Sequence, residues 1–375
     1  MTDVLDLPTT RDEAFRWADM PALQAARALS ATTAAIPQPI LADAIRLVFV
    51  DGDLVDQPAG LDIASMMLAS DHPLARHAAG QGLGVTLAPR SVTRLEIVRA
   101  NAGGDGHTPL SITLGEDAVL TLVETYTGTG WTNTLTRFDL GKGARVMRAV
   151  RIVQDAGFVS TRDEVAIAEA ASFVSVALGA TAAGTRLDAA LTLNGDGAYA
   201  ELGGALLTRD EQRQECAVRV RHAHPNGQSH QLWRAVAADR STVSLAAAVE
   251  VARDAQKTDG EQSLRGLLLQ RTATVNLKPE LEIFADDVKC AHGATVGELD
   301  ARALFYMQSR GIPAARAKAL LTRAFVADAL DRIADEAVRE VFAADADGWL
   351  DKALSHRERE GTRPAQPGGE GEGGA

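Results

Sequence analysis

The sequence predicts a mainly β fold, with a β-solenoid core between two helical regions, and three observations support it. First, short alternating apolar runs recur from about Arg94 to Phe284, separated by Gly, Asn or Asp, with no convincing long helix among them. Leu110–Leu114, Val119–Val123, Thr132–Phe138, Ala144–Val153, Phe173–Leu178, Leu187–Leu193 and Ala217–Val220 are examples. Sandwiches, barrels and solenoids all share such spacing. Second, aromatics are only 4% of the chain against 46% hydrophobic residues, so the core must consist of Ala, Val, Leu and Ile. That composition favours a solenoid, whose stacked turns need aligned aliphatic ladders rather than bulky wedges. No strict repeat period is visible. Third, after Gly297 the apolar spacing becomes helical and stays so.

The reading divides the chain into an N-terminal α-rich cap with one hairpin (1–93), a β-solenoid core (94–297), a C-terminal helical domain (298–356) and a disordered tail (357–375). In the cap, Arg11–Ser30 has helical spacing broken by Pro21, with Leu23, Ala26 and Leu29 on one face. Ile45–Val50 and Asp53–Val55 flank Asp51-Gly52, a hairpin signal because both central positions of a tight primed turn need positive φ. Leu61–Ala69 and Pro73–Ala79 read as helical. In the C-terminal domain, Ala317, Leu320, Leu321, Ala324 and Phe325 follow the i, i+3, i+4, i+7, i+8 pattern, and Ile333, Ala337 and Val341 continue it in i+4 steps. Gly311-Ile312-Pro313 marks a stop and restart between helices, and Trp349, Leu350, Ala353 and Leu354 a last short one. From Arg357 onward the chain is charged and then glycine-rich.

The chain carries 50 Asp+Glu against 38 Lys+Arg, a formal charge of -12. A surface this acidic argues against nucleic-acid binding and against adhesion to anionic lipid, both of which rely on basic residues. Two cysteines, Cys216 and Cys290, exclude a disulfide framework and a self-sufficient four-cysteine metal site. No secretory signal is visible in Met1–Thr10, and no apolar stretch is long enough to cross a membrane. The expectation is a cytoplasmic protein.

No Walker-type phosphate loop is present, and Gly103-Gly104-Asp105-Gly106 lacks the strand-then-helix setting that would make it one. Asp345-Ala346-Asp347-Gly348 fails as a calcium loop, because Ala343 and Leu354 stand where ligand carboxylates are needed. His222, His224 and His230 form a candidate metal cluster: the first two share a face if extended, and Pro225-Asn226-Gly227 turns the chain toward the third. A stand-alone metal-binding protein using these histidines is the alternative functional reading; surface histidines flanking a turn are the plainer one. Asp286-Asp287 is the only tempting acid pair for a glycan-cleaving β-helix enzyme, but neighbours on a strand face opposite sides.

The strongest constellation lies in Asp286-Asp287-Val288-Lys289-Cys290-Ala291-His292-Gly293. On a strand Cys290 and His292 point to the same face, and thiolate with imidazole suits iron, zinc or carried sulfur. Two donors do not close a site, so a partner chain has to supply the rest. The plain alternative is a packed structural cysteine beside a histidine bonded to backbone.

The stretch from Ala285 through Gly297, with Pro279-Glu280-Leu281-Glu282-Ile283 before it and Leu304-Phe305-Tyr306 and Ser309-Arg310-Gly311-Ile312 after it, resembles the SufB/SufD family of SUF iron–sulfur cluster assembly scaffolds. Asp254–Asp259 and Leu267-Leu268-Leu269 match too, and Asn194–Leu207 and His224–Ser229 more loosely. Asp-Asp-Val-x-Cys-x-His-Gly favours the D-type subunit, SufD, over the B type. Ser244-Leu245-Ala246 departs from a Phe-x-Gly element common in the family, the opening Arg11–Trp17 matches only in part, and the chain is short for the family.

The resemblance implies a right-handed parallel β-helix flanked by helical regions. It implies a non-catalytic scaffold that pairs with a SufB-type paralogue and binds a SufC-type ABC ATPase through its C-terminal helices. It places the nascent iron–sulfur cluster at the heterodimer interface, with His292 and Cys290 as the assembly residues, and no cofactor held stably by this chain alone. For the ATPase it points to Phe305, Tyr306, Arg310, Leu320, Leu321 and Phe325. In the absence of partners, an unpaired end of the β-helix makes a homodimer plausible.

Overall fold

The computed structural model describes residues 5–56 and 58–360. A parallel β-solenoid of about eight turns forms the body, with helices at both ends of the chain. Helix α1 (Met20–Arg27) comes first, capped by the Asp19 carboxylate, which accepts from Ala22 N–H at 3.1 Å. Pro21 stands in its first turn, where a missing N–H costs nothing, so it starts this helix rather than breaking one. Leu23 and Ala26 are buried as expected, whereas Leu29 lies beyond the helix and is exposed.

The early strands are β1 (Ile45–Val50), β2 (Asp53–Asp56), β3 (Asp62–Leu68), β4 (Gly80–Leu87) and β5 (Val92–Asn101). Then follow β6 (Asp105–Leu114), β7 (Val119–Gly128), β8 (Trp131–Leu140), β9 (Arg145–Ile152) and β10 (Phe158–Ile167). The middle of the body uses β11 (Ser172–Gly179), β12 (Gly184–Leu193), β13 (Tyr199–Thr208), β14 (Arg213–His222) and β15 (Gln228–Ala237). It closes with β16 (Thr242–Val251), β17 (Asp259–Leu268), β18 (Thr274–Ile283) and β19 (Lys289–Glu298).

Alternate strands build two sheets. One runs β19-β17-β15-β13-β11-β9-β7-β5-β1-β2 and the other β18-β16-β14-β12-β10-β8-β6-β4-β3. Both are parallel apart from the edge pairs β1–β2 and β3–β4. The first of these is the expected hairpin, with Asp51 at φ 53° and Gly52 at φ 95°.

Two segments of the N-terminal region differ from the sequence reading. Leu61–Ala69 is not helical but contains β3, paired antiparallel with β4. Its apolar residues fall on both sides of the strand, which imitates helical spacing, and β4 supplies the hydrogen bonds that decide the outcome. Pro73–Ala79 holds only a short 3-10 turn, Ala75–His77. The parallel ladder already begins at Ile45, which pairs with Leu95.

In the first sheet, strands begin at 92, 119, 145, 172, 199, 228, 259 and 289, a step that drifts between 26 and 31 residues. Two residues before seven of these starts stands a residue with left-handed φ: Arg90, Asp117, Gly143, Ala170, Gly197, Asn226 and Lys257. Each donates its N–H to a carbonyl of the next turn, as from Asn226 to Gln256 O at 2.9 Å, so the ladder runs through the corner as well as the strands. Only two of the seven are glycine, so stacking holds the others in a conformation that L-residues otherwise avoid.

Every second side chain enters the lumen, where Leu120, Leu122, Phe138, Val146, Phe173, Leu191, Val220 and Leu245 belong to one continuous core. One charged group interrupts it. Glu124 of β7 lies between Arg99 of β5 and Arg148 of β9: it ion-pairs with Arg99 and takes Arg148 Nε at 2.7 Å. Arg148 reaches across to Asp163 of β10 at 2.5 Å. Burial opposes the Glu124 charge, but the two guanidiniums prevail and hold its carboxyl at about 2.

The outer faces are covered by the two ends of the chain. On the second sheet Phe15, Leu23 and Leu74 pack with Trp131 and Phe158, and the Arg186 guanidinium lies 4.0 Å from the Phe15 ring centroid. Beyond the solenoid come α2 (Ala301–Ser309), α3 (Ala314–Leu330) and α4 (Glu336–Glu360), with Gly311 at φ 84° in the expected break. Helices α3 and α4 fold back over the first sheet, packing Val326, Leu330, Phe342, Trp349 and Leu350 on Val123, Val176, Leu207 and Val236.

The buried stripe runs one residue off the expected one. Thr322, Val326, Val338 and Phe342 are buried, while Ala324 and Ala337 are exposed and Leu320 and Leu321 half-buried. The Trp349–Leu354 segment belongs to the long helix α4, which continues through Gly348. Of the expected tail, 357–360 falls in α4 and 361–375 lies outside the described residues.

The Glu124 pairing predicts that Glu124→Ala, by leaving Arg99 and Arg148 buried without their counter-charge, lowers stability by about 3–5 kcal/mol. Urea unfolding of the purified chain checks this as a fall in midpoint.

Candidate functional site at the open end of the solenoid

Strands β18 and β19 terminate the two sheets, and among the described residues no further turn stacks on either. Strand β19 is exposed along almost its whole length, in contrast to the alternating burial of β15 and β17 beneath it. Parallel pairing sets Cys290 on Gly260 and His292 on Gln262. Gly260 and Gln262 are buried lumen-facing residues, so Cys290 and His292 lie on the lumen face too, at the turn where the lumen opens. The same-face expectation for this pair therefore holds in the structure.

The Cys290 thiol is half-buried and free. It sits over Gly260, where an added Cβ would meet Sγ at 3.4 Å, and beside Val249, Val251, Ala255 and Leu281. Burial pushes its pKa up, and nearby Asp259 adds to this, against the opposing effect of a hydrogen bond from the Gly260 backbone. The thiol is accordingly protonated at neutral pH in the chain alone, and a metal or sulfur atom arriving there must displace the proton. His292 is exposed. Among the described residues, no group of three or more His, Cys, Asp or Glu is placed to hold a metal ion. Cys290 and His292 thus supply donors of the right chemistry for iron and sulfide but form only part of a ligand set.

The alternative histidine cluster does not assemble. Strand β14 ends at His222, whose ring enters the lumen, 2.8 Å between its Nε2 and Ser229 Oγ. His224 falls in the exposed turn that follows. His230 is on the outer face, next to Tyr199 and Glu261. Asp286 and Asp287 are exposed in the turn between β18 and β19, and Asp345 and Asp347 lie on α4, paired with Arg151 and Arg323.

The six residues expected to dock an ATPase divide into two groups. Phe305 and Tyr306 are 74% and 59% exposed on α2, a helix that buries no residue, and Arg310 stacks 5.1 Å from the Tyr306 centroid. Leu320, Leu321 and Phe325 are half-buried on α3. Leu321 and Phe325 line a cleft of about 320 Å³ against Arg265, Thr295 and Gly297, and Phe325 packs on the outer face of the first sheet.

Sequence reading missed the polar file beneath His292. Gln231 of β15 and Gln262 of β17 are both 1% exposed, in register with one another and with His292. Their spacing, 231, 262 and 292, follows the drifting turn length and is the signal that would have revealed them.

The structure thus presents a parallel β-solenoid whose last turn, among the described residues, is open and carries a thiol and an imidazole on one face. Comparison with known proteins identifies the family. The family model described as SUF system FeS cluster assembly, SufBD core domain, matches residues 98–325, and the chain belongs to this family. It is 35% identical over 150 residues to the iron-sulfur cluster assembly protein SufD of Escherichia coli (strain K12), covering 40% of this chain and 35% of that protein. It is 30% identical over 148 residues to SufD of Bacillus subtilis (strain 168), covering 40% and 34%. Over 118 residues it is 41% identical to a chloroplastic protein, ABCI7 of Arabidopsis thaliana, covering 31% and 25%. The matched stretches thus span about a third or less of these relatives' length. Among the described residues, no helix is long and apolar enough to cross a membrane.

His222 gives the site region a testable acid response. Burial without a counter-charge lowers its pKa from 6.5 to about 4. The unfolded chain therefore takes up this proton first, so the stability His222 contributes is intact above pH 6.5 and lost as pH falls toward 4. Replacing it, His222→Leu, should remove roughly 2 kcal/mol of the stability difference between pH 7 and pH 5. Urea midpoints of both proteins at the two pH values check it; equal losses would contradict it.

Proposed function

We propose that this chain is the D-type scaffold subunit of a SUF assembly system and that a nascent iron–sulfur cluster is built at its open end. One observation carries the reading: Cys290 and His292 share the lumen face of a terminal turn that no other strand among the described residues covers. A SufB-type paralogue is the cover in this reading, and it has to supply the donors that Cys290 and His292 leave missing. A second copy of this chain would meet the same edge when the paralogue is absent. Iron and sulfide are cargo here, assembled and passed on rather than kept.

The chain acts as a scaffold without catalysing a reaction of its own, and ATP hydrolysis belongs to a SufC-type ATPase. The docking surface for that partner is α2 and the adjacent start of α3. Phe305 and Tyr306 are large exposed aromatics on a helix that packs little against the rest, a composition typical of binding anchors. Leu320, Leu321 and Phe325 are half-buried further along, in the middle of α3, and Arg310 stacks on Tyr306.

His292→Ala should leave the melting temperature within a degree or two, because the side chain is exposed, and should abolish cluster build-up on the reconstituted complex. Absorbance of the assembled cluster under anaerobic iron and sulfide supply is the readout. Normal build-up in the variant would remove His292 from the mechanism. A tagged pull-down of the wild-type chain should recover an ABC-type ATPase and a larger paralogue; recovery of neither would overturn the partner assignment.

A further inference from the structure

Gln231 and Gln262 repeat one arrangement on successive turns. Each points into the lumen and donates its amide N–H across to a backbone carbonyl of the other sheet, Gln231 to Ala248 O at 3.3 Å and Gln262 to Glu280 O at 3.4 Å. In each, the amide oxygen Oε1 is buried with no hydrogen-bond partner. An unpaired buried carbonyl is costly, and the same oxygen is left unpaired on two consecutive turns.

The third member of the row is His292. Adjacent parallel strands are about 4.8 Å apart, so His292 occupies the position one turn above Gln262 on the same face. What its neighbours have, His292 lacks: the second sheet ends at β18, and no carbonyl stands opposite to take the ring N–H. The unsatisfied acceptor and the donor without a partner are thus one turn apart on the same face.

We propose that Gln262 is the positioning residue for His292: its Oε1 accepts the ring N–H when a partner closes the end of the lumen, fixing one tautomer and leaving the other ring nitrogen facing the interface as the donor to iron or sulfide cargo. The bond satisfies the buried oxygen and aims the imidazole, as a hydrogen bond to the far nitrogen does for histidines at metal sites generally. The inference rests on the proposed role of His292, and its test separates the two.

The full chain, labelled with 15N-histidine and bound to its SufB-type partner, is compared as wild type, Gln262→Leu and Gln262→Glu. Solid-state spectra assign the His292 ring by difference from His292→Ala. Wild type should show a single fixed tautomer, and Gln262→Glu, which keeps an acceptor, a ring nitrogen still held in a hydrogen bond. Gln262→Leu should show a tautomer-averaged ring and cluster build-up reduced about 10- to 100-fold, with unchanged recovery of the partner. Identical ring shifts in wild type and Gln262→Leu would overturn the positioning role even where His292→Ala abolishes build-up. Normal build-up in His292→Ala would instead overturn the functional reading on which it rests. Should Gln262→Leu not fold, Gln262→Met serves in its place with the same expected result.

Discussion

In-register stacking of parallel strands is the constraint on which the rest of this molecule depends. Because each turn lies about 4.8 Å above the last, a residue facing the lumen meets the same position of the next turn, and its polarity must be answered there. Aliphatic rows meet this demand by contact alone. Glu124 meets it with two arginines from neighbouring turns, which keeps the carboxylate ionised inside a dry core. Left-handed corner residues such as Ala170 and Lys257 are held by the same ladder, each corner N–H bonded to the following turn.

Stacking also sets the last turn apart from the others. Any interior turn is satisfied from above and below, whereas the last is satisfied from below only. At the other end the two sheets finish in the antiparallel strands β2 and β3. Helices α3 and α4 cover the outer face of the first sheet but do not close over β19. A half-buried thiol and an exposed imidazole lie on that turn, and among the described residues no third donor joins them.

Much of this was legible in the sequence. Alternating runs and scarce aromatics indicated stacked strands, and the same-face placement of Cys290 and His292 followed from strand geometry once that segment was read as extended. Other features depended on tertiary context. Leu61–Ala69 has apolar residues on both faces, and only pairing with β4 makes it a strand. The turn length drifts between 26 and 31 residues, which conceals the repeat from any fixed-period comparison. His222 and His224 were expected to share a face, but β14 ends at His222 and sends its neighbour into a turn. In the C-terminal region Ala317 and Ile333 are buried as the spacing indicates, but Thr322 lies inside and Ala324 outside, which depends on how α3 meets the sheet. The Gln231–Gln262–His292 file needed the register, since nothing local marks those glutamines.

The central claim is that the open last turn is completed by a paralogous subunit. Hydrogen–deuterium exchange of the full chain, alone and mixed with a SufB-type partner, tests it most directly. The account predicts that amides of β18 and β19, 274–283 and 289–298, gain strong protection on mixing, while those of β7 to β13 stay as they were. Complex formation with unchanged exchange across β18 and β19 would contradict it.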